Sequence, residues 1–251
     1  REVLRDERVP LLTTVEERAE ILATLHLDRF IVLPFTQEFA SLSAREFVQR
    51  ILVGEVGLKE VVIGYDHTFG KDREGTADLL REMAPHYGFS VDVIPPQVVG
   101  RDVVSSTQIR RALGEGDVKR AASQLGRPYS LRGTVVHGDK RGRLLGFPTA
   151  NLSVDPRKIK PRSGVYAVRV TGNMLRADGM MNIGKRPTVG GTALTLEVHL
   201  LDYDGDLYDA ELRIEFIERL RDEQRFPSLE ELKKQLSVDR ARCIAALESV
   251  P

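Results

Sequence analysis

Apolar and polar positions change period once along this chain, and the change divides it in two. From Leu11 to about Leu125, stretches with apolar residues three and four apart alternate with short apolar runs. Thr14 and Glu17 stand ahead of a stripe formed by Val15, Ile21, Leu22 and Leu25, and Ser43 and Glu46 stand ahead of Phe47, Val48, Ile51 and Leu52. A hydroxyl and a carboxylate so spaced satisfy two free N–H groups at a helix start, so both stretches are predicted helices. Arg29–Leu33, stopped by Pro34, is predicted as a buried strand. Glu60–Ile63 and Val91–Ile94 are read as strands too, separated by a helix over about 76–86. Helices alternating with strands predict a parallel sheet, which takes ligands at the carboxyl ends of its strands. Two short helices follow, over 107–113 and 117–125. Gly126 stands where a left-handed residue ends a helix and Pro128 blocks continuation, so the domain boundary is expected there, with domains 1–126 and 127–251.

After Ser130 the period becomes two. Tyr166, Val168 and Val170 alternate with polar or small residues, as do Leu194, Leu196, Val198 and Leu200, and then Leu212, Ile214 and Phe216. Half-buried antiparallel strands in this number suit a small β-barrel or sandwich. Ser228 and Glu231 open a last helix whose stripe of Leu229, Leu232 and Leu236 is expected to close the barrel.

Composition narrows the function classes. The 251 residues are 41% hydrophobic and 29% charged, which excludes a disordered or low-complexity chain. Lys plus Arg and Asp plus Glu are 37 each, so no net field favours nucleic acid or an anionic membrane. No apolar run approaches the ~20 residues that cross a bilayer, and the first residues carry no signal-peptide core. A soluble cytoplasmic protein acting on small molecules is expected, of open oligomeric state. Cys243 is the single cysteine, so neither an internal disulfide nor a cysteine-based metal cage is available. The five histidines have no metal-ligand spacing. The first residue is Arg1 rather than Met, so a preceding segment is expected.

The densest chemistry lies in His137–Asn151. Gly138, Gly142 and Gly146 permit close backbone approach to phosphate oxygens, with Lys140, Arg141 and Arg143 adding charge. Thr149 and Asn151 offer the hard oxygen ligands that Mg²⁺ accepts beside nucleotide phosphates. The spacing is neither a Walker loop nor a dinucleotide fingerprint, and the same residues also read as a charged hairpin turn. Glu197 shares a strand face with Thr195 and His199, where a carboxylate can take a proton from a substrate hydroxyl; it also reads as the solvated side of an edge strand. In the first half, Gly64–Gly70 follows the second predicted strand and includes Asp66. Val104–Arg110 opens a helix whose N-terminal hydroxyls and N–H groups, with Arg110 one turn on, suit a phosphate, or form an ordinary helix cap. No Gly-x-Ser-x-Gly elbow supports a serine hydrolase.

Taken together, Gly142–Asn151 with its Gly-Phe-Pro-Thr-Ala-Asn ending, Gly164–Ala167, Met181–Gly184, Pro187–Thr188, Leu196–His199 and Asp206–Tyr208 resemble the riboflavin kinase module. Gly64–Gly70 with Arg73 and Gly75, and Ser105–Arg110, resemble the flavin adenylyltransferase module. With Leu125–Tyr129 at the junction, nearly the whole chain is similar to the bacterial bifunctional riboflavin kinase/FAD synthetase family. That resemblance implies an α/β nucleotidyltransferase-like parallel sheet domain followed by a small antiparallel β-barrel domain with a C-terminal helix. It implies ATP phosphates enclosed by the glycine-rich stretch from Gly138 to Gly146, Mg²⁺ and nucleotide held by Thr149 and Asn151, and Glu197 as general base on the riboflavin 5′-hydroxyl. Ser106, Thr107 and Arg110 would contact ATP phosphates during adenylylation of FMN to FAD, and Asp66 would line the nucleotide or flavin site.

One departure stands out. Family members begin with a strand and a His-x-Gly-His motif that binds ATP phosphates in adenylyl transfer, and no His-x-Gly-His occurs in this sequence. The expectation is therefore a working kinase and an N-terminally incomplete adenylyltransferase. A non-catalytic flavin-binding protein is the rival reading. An adenylyltransferase for another nucleotide acceptor is the third, which the Phe-Pro-Thr-Ala-Asn segment opposes.

Overall fold

The computed structural model describes residues 9–138, 142, 145–172, 175–188 and 191–249. Packing divides the chain into two units, one built from Leu25–Val104 and one from Pro10–Thr24 together with the chain from Ser105. The second unit therefore includes helix α1 (Val15–Ala23), whose capping box forms as the sequence predicts, with Thr14 accepting from Glu17 N–H and the Glu17 carboxylate accepting from Thr14 N–H. The unit also takes in the two helices ahead of the junction expected at 126/127.

In the Leu25–Val104 unit, α2 (Gln37–Ala40) and α3 (Ala44–Glu46) precede a π-helical continuation over Phe47–Glu55. Parallel strands β1 (Glu60–Gly64) and β2 (Ser90–Ile94) flank α4 (Ala77–Tyr87). Val48, Ile63, Leu80, Met83 and Phe89 form their common core. A two-strand ribbon of β3 (Val98–Val99) and β4 (Asp102–Val103) follows. The run at 29–33 departs from expectation. It forms no strand, and Phe30, Ile31, Val32 and Leu33 are 39–55% exposed. Among the described residues β1 pairs only with β2, and an apolar run with no ladder partner has neither backbone bonds nor a sheet face to bury against.

In the second unit, α5 (Ser106–Glu115) and α6 (Val118–Leu125) bury Ile109, Leu113, Val118 and Ala121. Gly126 ends α6 at φ 69°, as the sequence predicts. Six strands then close into a barrel in the order β10-β5-β6-β9-β8-β7: β5 (Tyr129–Val136), β6 (Ala150–Val154), β7 (Gly164–Gly172), β8 (Arg176–Thr188), β9 (Gly191–Leu200) and β10 (Glu211–Arg221). Tyr129, Leu131, Tyr166, Met181, Ile183, Ile214 and Phe216 are each 1% exposed or less and fill it. Leu194, expected among the buried residues of β9, is 49% exposed near the end of the barrel. Helix α7 (Leu229–Glu248) covers the outer surface through Cys243, Ala246 and Leu247, which pack on Ala167, Met180 and Ile217.

A buried ion pair ties α1 to the barrel unit. Lys158 Nζ lies 2.6 Å from Glu17 Oε2 and donates to the carbonyls of Leu12 and Ser130, with side-chain exposures of 2% for Lys158 and 9% for Glu17. Burial lowers the Lys158 pKa, opposed by the Glu17 carboxylate. Removing one partner of such a pair strands a charge, so Glu17→Gln is expected to destabilise the unit by about 3–5 kcal/mol in urea unfolding. Because the lysine's folded pKa lies below its unfolded one, the unfolded chain binds more protons between the two values. Stability in the variant should therefore recover as pH is raised toward the unfolded value.

Cys243 gives a second check. It is fully buried, its thiol donates to the Gly179 carbonyl at 3.2 Å, and burial pushes its pKa up to about 12. Thiolate is the reactive form, so the native protein at pH 8 should resist alkylation that denatured protein undergoes rapidly, as mass spectrometry would read.

Candidate active site

Strand β9 runs between β6 and β8, and its register builds the site. Asn151 stands opposite Glu197 on β6, and Asn182 stands opposite it on β8. Leu196 and Val198 are buried, so alternation sends Glu197 and His199 to the outer face of the barrel. Residues paired across neighbouring strands share a face, which groups Asn151, Glu197 and Asn182. Thr149, just ahead of β6, donates from Oγ1 to Glu197 Oε2 at 3.4 Å.

The segment leading into β6 is clamped to β9. His199 Nδ1 lies 2.7 Å from the Pro148 carbonyl oxygen, and since a carbonyl only accepts, Nδ1 carries the proton. The Phe147 ring meets the His199 ring edge-on, 5.2 Å between centroids. Phe147 N–H in turn donates to the Gly142 carbonyl at 3.0 Å. Two of the glycines are required by close approach. A Cβ on Gly138 would run into the Asn151 amide, and one on Gly142 into the Phe147 carbonyl. Gly146 takes φ 79° with open space around it. Lys140, Arg141 and Arg143 lie outside the described residues.

Two cavities meet at Thr149, which lines both. The first, about 410 Å³, is bounded by Gly138, Asn151, Val198 and the loop from Tyr203 to Tyr208. His137 stacks on Tyr208 at its rim, with ring centroids 4.0 Å apart. The second, about 570 Å³, holds Glu197, Asn182 and His199 on the barrel side and Arg221, Glu223 and Phe226 beside them. Its far wall is Leu229, Leu232 and Leu236 of α7. That stripe, expected to seal the helix onto the barrel, lines the cavity instead, and Leu229 is 70% exposed. The fully buried residues of the helix begin at Asp239, and its first turns line the cavity.

A hydroxyl that lines both cavities, in contact with a carboxylate that lines one of them, suits group transfer, with a donor on one side and an acceptor on the other. Thr149, Asn151 and Glu197 also gather hydroxyl, amide and carboxylate oxygens, a donor set that fits Mg²⁺ sharing its coordination with phosphates. Sequence patterns did not single out Asn182, Arg221, Glu223 or Phe226. The segment from Arg221 to Ser228 has no periodicity, and only its crowding of charge around one phenylalanine could have drawn notice.

The residues proposed from the first half fall in different units, Asp66 in the parallel-sheet unit and Ser106, Thr107 and Arg110 in the barrel unit. Asp66 is exposed in the turn beyond the carboxyl end of β1, where Tyr65 N–H still donates to Ile94. On α5, Ser105 caps the helix by accepting from Gln108 N–H, and Ser106 and Thr107 are exposed in the first turn. Arg110 donates from Nε to the Pro10 carbonyl at 2.7 Å.

Residues 1–108 match the FAD synthetase family model and residues 125–247 the riboflavin kinase model. A bifunctional riboflavin kinase/FMN adenylyltransferase of Pseudomonas fluorescens is 43% identical over 249 residues, 98% of this chain and 80% of that protein. The chain belongs to the bifunctional riboflavin kinase/FMN adenylyltransferase family. Its Escherichia coli K12 member is 40% identical over 95% of this chain and 76% of its own length. The FAD synthetase match covers the parallel-sheet unit together with α1, and the riboflavin kinase match covers the barrel with its C-terminal helix. A solved structure described as a macrolide-efflux protein from Streptococcus pneumoniae is also similar, with a TM-score of 0.84, 35% identity, and coverage of 92% of this chain and 74% of that one. Among the described residues, no helix is long and apolar enough to cross a membrane.

The packing of Gly138 on Asn151 generates a test within this family. Gly138→Ala must displace the Asn151 amide, and we expect affinity for ATP with Mg²⁺, measured by calorimetry, to fall about tenfold, the loss of one hydrogen bond to a charged group.

Proposed function

We propose that the barrel unit transfers the γ-phosphoryl group of ATP to the 5′-hydroxyl of riboflavin, giving FMN and ADP. The observation that carries the reading is the contact of Thr149, which lines both cavities, with Glu197, which lines the larger one. ATP occupies the smaller cavity, with its phosphates along Gly138–Gly146 and Lys140 beside them. Riboflavin occupies the larger one, with its 5′-hydroxyl against Glu197. Thr149 and Asn151 hold Mg²⁺, which when bound neutralises phosphate charge. Glu197 takes the hydroxyl proton as the new O–P bond forms and the bond to the ADP oxygen breaks. Phosphoryl transfer is mostly positioning and charge neutralisation, so a rigid strand carrying one base, flanked by Asn151 and Asn182, is sufficient.

The second activity of the family, adenylylation of FMN by ATP to FAD, is proposed to use Asp66, Ser106, Thr107 and Arg110. Support comes from the exposed hydroxyls in the first turn of α5, whose free N–H groups favour an anion. Both reactions draw on cytoplasmic ATP, and we place the protein in that compartment with no partner beyond these small molecules.

Glu197→Gln keeps size and removes the base. Its kcat for FMN formation, followed by chromatography of the flavins, is expected to fall about 10²–10⁴-fold with the unfolding midpoint unchanged. A rate within a few-fold of wild type would remove Glu197 from the role of base.

A further inference from the structure

Asp239 has no part in the chemistry described so far, yet it is fully buried in the middle of α7. Its carboxylate accepts from Arg221 Nε at 3.0 and 2.8 Å and from Nη2 at 2.7 Å. Gln235, one turn earlier, donates to the same carboxylate at 2.9 Å. Arg221 ends β10 and lines the cavity that contains Glu197. Its Nη1 donates to the Asp222 carbonyl at 2.9 Å, and its guanidinium lies over the Phe226 ring, 5.7 Å from the centroid.

A guanidinium carries five N–H groups, one on Nε and two on each Nη. Asp239 takes Nε–H and one on Nη2, and Asp222 takes one on Nη1, which leaves one N–H on each Nη at the wall of a cavity. The same cavity contains two carboxylates, Glu197 and Glu223. An arginine on a long flexible stem beside them has many directions open to its guanidinium. A buried ion pair is in general no more stabilising than an apolar pair of the same volume. What it supplies here is a fixed direction for the guanidinium.

We propose that Asp239 is a positioning residue for the phosphoryl acceptor. Acting through Arg221, it holds the guanidinium against Phe226, leaving two N–H donors for a planar heteroaromatic ring with carbonyl oxygens or ring nitrogens at its edge. This rests on the kinase reading above and adds to it how the acceptor ring is held.

The test is Asp239→Asn in the full chain, with riboflavin and ATP varied separately and riboflavin binding followed by fluorescence. The expected result is a riboflavin KM and Kd raised about tenfold, the loss of directed charged hydrogen bonds, with kcat and the ATP KM nearly unchanged. Arg221→Met should give the same shift, and adding Asp239→Asn to it should change nothing further. A riboflavin KM equal to that of wild type, or equal rises in both KM values, overturns the proposal. Should Asp239→Asn fail to fold, the pair Arg221→Met with Asp239→Leu, which removes both charges together, decides in its place. A raised riboflavin KM in that pair supports the role, and a wild-type value overturns it. Wild-type protein that forms no FMN removes the kinase reading and this role with it, whereas FMN formation with an unaltered Asp239→Asn removes this role alone.

Discussion

Closure of the barrel is the constraint on which the site depends. Six strands leave room inside only for packed side chains, and Tyr166, Met181, Ile183, Ile214 and Phe216 occupy it. Every strand must then send alternate residues outward. Glu197 is outward because Leu196 and Val198 are inward, and Asn151 and Asn182 stand beside it because the registers of β6 and β8 against β9 are set by the same interior packing. A shift of one residue in any of these pairings would bury the carboxylate and expose its apolar neighbours. The geometry of the candidate site on these strands is thus set by hydrophobic burial on their opposite face.

That dependence explains what the sequence revealed. The switch from a period near 3.6 to a period of two was visible, and with it the barrel, the outward direction of Glu197, the caps at Thr14, Ser43 and Ser228, and the end of α6 at Gly126. The cluster of Thr149, Asn151 and Glu197 needed the strand register, which alternation constrains but does not specify, and the family likeness supplied the pairing that spacing alone left open. Two expectations failed for a common reason. Arg29–Leu33 has the pattern of a buried strand and lacks a ladder, and Leu229, Leu232 and Leu236 have the pattern of a packed helix face and line a cavity instead. Periodicity reports what a segment is able to bury, not what lies opposite.

Buried charge is used sparingly, and in both prominent cases it fastens a helix to the barrel. Lys158 with Glu17 anchors α1, and Arg221 with Asp239 anchors α7. The two serve different ends. Lys158 gives its ammonium to a carboxylate and two backbone carbonyls, whereas Arg221, held by its carboxylate, lines a cavity. Apolar packing could replace the first without loss of direction, but not the second.

The route of the chain has a consequence of its own. Because Pro10–Thr24 and the chain from Ser105 pack as one unit, the polypeptide leaves the barrel unit after Thr24 and re-enters it at Ser105. The barrel unit is in this sense discontinuous along the chain, its first piece separated from the rest by eighty residues of the other unit, Leu25 to Val104. A protease nick inside residues 25–104 would leave α1 joined to the barrel by no covalent path, yet still held by the Lys158–Glu17 pair and by the backbone bonds of Leu11 to Arg157 and Ile159. The barrel unit would then be a two-piece body, able to lose and regain α1 as a separate peptide.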